Sequence, residues 1–140
     1  MTDWMETNRG VVFPEHCDHF GHMNTRYYGH FFDEANWHIW AKAGIDHAMF
    51  DRWGVVVVIG TITTEYIREV KSGDLLVIEG VFRKLGGKSI TYEQKMLHAE
   101  KGHLCARETV TEVCFNPKTR KSADMPIEMR TALEAILVPA

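Results

Sequence analysis

Residues 13 to 28, FPEHCDHFGHMNTRYY, crowd carboxylates, imidazoles, a thiol and a glycine into one short segment. Asp18 is the residue there best placed for chemistry. A carboxylate just ahead of a helix start feels the positive end of the helix dipole and its free N–H groups, which keep it ionised at neutral pH. Such a group can take a proton from water or attack a carbonyl carbon itself.

Its neighbours offer competing chemistries. His16, His19, His22 and the later His30 are of a type that binds zinc, but their spacing matches no recognised zinc arrangement, and no metal is expected. Imidazoles that orient the loop or the carboxylate explain them better. His22, beside Gly21, is the first of them to consider for a role in the site, the alternative being packing against the helix start. Cys17 adjoins Asp18 but lacks an evident triad and reads as a small buried residue. Asp33 and Glu34 are the other acids to weigh; otherwise they form a solvated helix face.

The elements that must position these groups follow from pattern. Residues 9 to 14, RGVVFP, read as a short strand stopped by Pro14, and 15 to 24 as a polar loop broken by Gly21. Asn24 is an N-cap for TRYYGHFFDEANWHIWAKAG, a helix of about five turns that stops at Gly44. Tyr28, Phe31, Phe32, Ala35, Ile39 and Ala43 recur in it at three- and four-residue steps. Trp37 and Trp40 widen that apolar face, which predicts a helix largely enclosed by the rest of the chain. Gly29 costs about 1 kcal/mol against Ala, and close approach of another backbone is one way to offset it.

After a loop or short helix around IDHAMFDRWG come four β-branched segments, VVVVIGTITTEYIREV, DLLVIEGVFRKL, SITYEQKMLHA and HLCARETVTEVCFN. Ser72-Gly73-Asp74, Gly86-Gly87 and Lys101-Gly102 separate them with turn chemistry, so a meandering antiparallel sheet is expected. Residues 117 to 126 form a polar connection, and Ile127 to Leu137 a short terminal helix. One strand, one apolar helix and four strands suit an α+β fold in which a curved antiparallel sheet wraps a single central helix. Pattern alone leaves other α+β sandwiches open. Residues 1–140 form one domain, with no internal repeat.

Asp18, His19, Phe20, Gly21, His22, Met23 and Asn24, followed by Tyr28, resemble the loop of the 4-hydroxybenzoyl-CoA thioesterase-like family, in which Asp, two residues and Gly lead to a Tyr that opens the central helix. The rest of the chain resembles it in the order of strand and helix. The likeness implies a hotdog fold, a homodimer or homotetramer, and hydrolysis of an acyl-CoA thioester bound between subunits. It implies that Asp18 attacks the thioester carbonyl or activates a water, with the backbone N–H of Thr25 polarising that carbonyl. Two departures are His16 where many members have a first Asp, and an apparent extra residue after Phe13.

The family also places basic residues at the hairpin between the long strands, which makes Lys88, with Ser89, the expected contact for the CoA phosphates; solvated turn charges are the plainer reading. Tyr28 is expected at the substrate, and Thr61 and Thr63 are placed to face the acyl group unless they are ordinary sheet alternation. A hydratase or dehydratase acting on a hydroxyacyl thioester, and a domain that only binds acyl-CoA, are the other readings. The acyl group is open among aromatic, short aliphatic and trimethylammonium-bearing kinds.

Composition fits this picture. The chain has 140 residues, 45% hydrophobic and 25% charged, with a formal net charge of −3. That balance speaks against nucleic acid as a partner. The longest strong apolar run, Val55 to Ile59, is too short to span a bilayer, so no membrane association is expected. Three cysteines without a pairing pattern point to a reducing, cytoplasmic setting. No cofactor is expected beyond the coenzyme A of the substrate itself.

Overall fold

Asn24 starts the central helix as its side chain suggests: its amide oxygen accepts the Arg26 N–H at 3.1 Å, satisfying a donor the helix cannot use. From there α1 runs over Thr25–Lys42 and ends at Gly44, whose φ of 77° suits glycine. A computed structural model describes residues 3–140. In chain order it holds β1 (Met5–Val11), a 3₁₀ turn at Pro14–His16, α1, α2 (His47–Trp53), β2 (Val56–Tyr66), β3 (Leu75–Leu85), β4 (Ser89–His98), β5 (Leu104–Asn116), β6 (Lys121–Ser122) and α3 (Ile127–Glu134).

All the ladders are antiparallel, and the main sheet has the order β1-β3-β4-β5-β2. β3, β4 and β5 form the expected meander. β2 does not join it in sequence order; it pairs with β5, so the chain crosses the width of the sheet between β2 and β3. The sheet wraps α1, which buries Phe32, Ala35 and Ile39 completely against it. Burying side chains of this kind contributes about 1.5–3 kcal/mol for each large one. This is the α+β hotdog layout anticipated from the sequence.

Several local expectations change. The first strand begins at Met5 rather than Arg9, because pairing with β3 recruits the polar stretch Met5 to Arg9, with an irregularity at Thr7. The polar connection contains a two-residue strand, β6, held by the end of β5. α1 is less enclosed than its aromatic content suggested: Trp37 is 65% exposed, on a face shared with Asp33 and His30. Gly29 meets no close backbone, since a Cβ there would find nothing within 4 Å. It faces an open cleft instead.

Candidate active site

The Asp18 loop is a small hairpin. Cys17 and Met23 bridge its base, Asp18 N–H donates to the His22 carbonyl at 2.9 Å, and Gly21 N–H returns to the Asp18 carbonyl at 3.0 Å. Gly21 has φ of 82°, which is why a glycine stands there. One Asp18 carboxylate oxygen accepts the Phe20 N–H at 2.9 Å, and the residue is half-buried. His16 anchors the loop: its Nδ1 accepts the Phe13 N–H at 3.0 Å and its ring rests on Tyr27 and Phe31.

His22 turns toward Glu69, with Nε2 3.1 Å from the carboxylate, and its backbone bridges Lys71. It therefore ties the loop to the segment after β2. Among the described residues no group of three or more His, Cys, Asp or Glu is arranged to hold a metal ion.

Two residues beyond Met23, Thr25 opens α1. The Asn24 side chain takes the Arg26 N–H and its carbonyl takes the Tyr27 N–H. The Thr25 N–H has no hydrogen-bond partner among the described residues, and Thr25 lines the narrow end of a cleft between α1 and β2. That end, of about 450 Å³, also touches Gly29, Thr64, Tyr66 and Glu108. The cleft widens toward the other end of α1 to about 650 Å³ among Trp37, Trp40, Phe50 and Val57. Asp33 and Asn36 border both parts. Of the two competing helix acids, Asp33 is thus in the cleft, while Glu34 accepts from Asn8 Nδ2 at 3.3 Å on another side.

The other expected residues divide. Tyr28 is buried, packs edge-on against Tyr66, and has its phenol pushed up to about 12 by burial. It supports the cleft wall from behind. Thr61 and Thr63 do not face the cleft. Gly60 is an extra residue in β2, so Ile59 pairs with Glu112 but Thr61 pairs with Thr111. That bulge shifts the alternation by one and turns Ile62, Thr64 and Tyr66 inward, leaving Thr61 and Thr63 on the outer face of the sheet. Lys88 and Ser89 sit at the β3–β4 turn, and Lys88 pairs with Asp124 at 3.0 Å. They lie at the far end of β4 from the Asp18 loop, about 30 Å away along a ten-residue strand.

Sequence reasoning missed the polar floor of the cleft. Asn36 Nδ2 donates to Glu108 at 2.9 Å, Gln94 Nε2 donates to Asn36 at 3.1 Å, and Thr7 Oγ1 donates to Gln94 at 2.8 Å. Glu112 accepts from Trp40 Nε1 at 2.9 Å and Tyr92 Oη at 2.6 Å. Burial raises Glu108 to about 7, opposed by the Asn36 amide. Burial raises Glu112 as well, opposed by its Tyr92 and Trp40 donors. The available signal was the pair of acids at alternate inward positions of β5, but Arg107 and Thr109 make its opposite face equally polar, so the buried face could not be chosen.

The fold thus places a free helix-start N–H at one end of a cleft, where it can donate to an oxygen on which negative charge develops. The sequence pattern of the Thioesterase-like superfamily matches residues 12–133, and the chain belongs to that superfamily. The chain is 29% identical over 126 residues to the long-chain acyl-CoA thioesterase FadM of Escherichia coli, covering 87% of this chain and 92% of that protein. Among solved structures it resembles the probable thioesterase YbaW of Escherichia coli, at 26% identity and a TM-score of 0.79, with 94% and 98% of the two chains covered. It shares its fold with a Staphylococcus aureus protein solved with CoA, at 19% identity and a TM-score of 0.84, over 95% and 84% of the chains.

Proposed function

We propose that this thioesterase hydrolyses an acyl-CoA to the free acid and CoA, with Asp18 as nucleophile or as the base that activates water. The observation that carries the reading is the Thr25 N–H, unpartnered and lining a cleft at the start of α1. A thioester carbonyl seated there would gain a donor and the positive end of the helix dipole as charge develops on its oxygen. Asp18 stands a few residues upstream on a hairpin tied to that helix start. His22, 3.1 Å from Glu69, ties the hairpin to the segment after β2.

The site is completed by a second copy of the chain. β2 is an eleven-residue edge strand with Val58, Ile59 and Ile62 each more than 40% exposed. An open apolar edge of this length invites pairing, and a two-fold axis beside it joins two β2 strands antiparallel. The wide end of one cleft and the Lys88 turn then approach the Asp18 loop and the Thr25 end of α1 in the other copy, so that Asp18 and the Thr25 N–H of one copy face the same enclosed space. That arrangement accounts for a carboxylate that lines neither part of the cleft within one protomer, and brings Lys88 toward the CoA phosphates.

The test is release of free CoA from benzoyl, short-chain and long-chain acyl-CoAs by wild type, Asp18→Asn and Asp33→Asn. Hydrolysis by wild type with a loss of about 10²-fold or more in Asp18→Asn supports the assignment. A comparable loss only in Asp33→Asn moves the role to the helix. No hydrolysis of any thioester leaves the chain a binding domain.

A further inference from the structure

Glu108 is 3% exposed, yet it lines the narrow end of the cleft together with Thr25. One carboxylate oxygen accepts from Asn36. The other has no hydrogen-bond partner among the described residues, where no fully enclosed side-chain oxygen lacks one, so this second oxygen opens into the cleft. No Lys or Arg pairs with Glu108; the charge that acts on it is Asp33, of the same sign. The basic groups at this end are directed elsewhere: the Arg26 guanidinium lies 4.9 Å from the Tyr27 ring centre and donates to its hydroxyl, and His30 Nε2 is 3.9 Å from Glu34, so neither is bonded to Glu108.

The wide end repeats the chemistry. Glu112, four residues further along β5 and about 13 Å away, is 6% exposed, and both of its donors meet the same oxygen. The lining there adds Asp46 and Asp51 to the faces of Trp37, Trp40 and Phe50, and contains no Lys or Arg.

An unsubstituted alkyl group seated in this cleft would strip water from two buried carboxylates and give nothing back. A cationic nitrogen supplies the missing counter-charge and is compatible with aromatic walls. We propose that the cleft takes an acyl group bearing a positively charged nitrogen, with Glu108 as its counter-charge close to the reacting carbonyl. This rests on the thioester-hydrolase reading above. Because Glu108 and Thr25 border the same small space, a short acyl group suffices to reach from one to the other.

Two substrates of equal shape isolate the charge: trimethylammonioacetyl-CoA and 3,3-dimethylbutanoyl-CoA, which differ in one nitrogen for carbon. For wild type, kcat/KM is expected to favour the cationic thioester by on the order of 10- to 100-fold. In Glu108→Gln, which keeps an acceptor for Asn36, that ratio falls at least about tenfold. Equal rates on the pair, a preference for the neutral member, or faster turnover of neutral 3-hydroxybutanoyl-CoA than of the cation overturns the proposal without any variant being made. An unchanged ratio in folded Glu108→Gln removes Glu108 from it. Failure on every thioester of the wider panel marks instead the failure of the hydrolase reading.

Discussion

Asn36 of α1 donates to Glu108 of β5 at 2.9 Å across the floor of the cleft, joining two residues 72 positions apart in the chain. The bond offsets only part of the cost of burying the carboxylate, whose pKa stays raised from 4.5 to about 7. The folded chain therefore keeps a proton that the unfolded chain releases above about 4.5. Glu108 makes the fold most favourable at low pH and progressively less so as pH rises from about 4.5 through 7, by about 3 kcal/mol in total. Urea unfolding at fixed protein concentration is expected to show that decline in wild type and a flatter profile in Glu108→Gln. A wild-type stability that does not fall relative to Glu108→Gln across this window contradicts it.

Tyr92 and Trp40 share one oxygen of Glu112. Tyr92→Phe leaves the buried carboxylate with a single donor and is expected to cost about 1–3 kcal/mol, read as a lower thermal midpoint. A midpoint equal to wild type would mean that water from the cleft replaces the hydroxyl.

Val58 on β2 is 41% exposed on the strand proposed to pair with its copy. Val58→Lys puts two ammonium groups near the two-fold axis and is expected to shift sedimentation toward monomer, with activity falling in step with the dimer fraction. A variant that stays dimeric places the interface elsewhere.

Gly29 and Gly10 behave oppositely. A methyl at Gly29 meets open space on the helix, so Gly29→Ala is expected to gain about 0.5–1 kcal/mol of stability while narrowing the cleft and raising KM. A methyl at Gly10 lies 2.6 Å from the Phe31 ring, where β1 crosses α1, and Gly10→Ala is expected to cost about 1–3 kcal/mol. Denaturant midpoints of the two variants, with KM for the first, test both signs.

Local rules were enough for much of this protein. Asn24 and Gly44 delimit α1 because capping and left-handed φ are satisfied within a few residues. The Gly-Gly turn between β3 and β4 and the lengths of β3, β4 and β5 followed from β-branched runs broken by turn residues, and the Asp18 loop stood out by residue type and spacing alone. Those features depend on neighbours in the chain, so they are legible in it.

What the tertiary structure decided depends on partners far away. The edge position of β2 is fixed by pairing with β5 rather than with β3, which follows it in the chain. The phase of β2 turns on a single bulged residue, Gly60, which put Ile62 and Thr64 in the cleft where Thr61 and Thr63 were expected. The buried Glu108 and Glu112 gained their character only when the sheet curled around α1 and brought Asn36 and Trp40 onto them. A side chain's charge state and the ligand it suits are set by desolvation and by donors from other elements, and a sequence lists neither until the chain has folded.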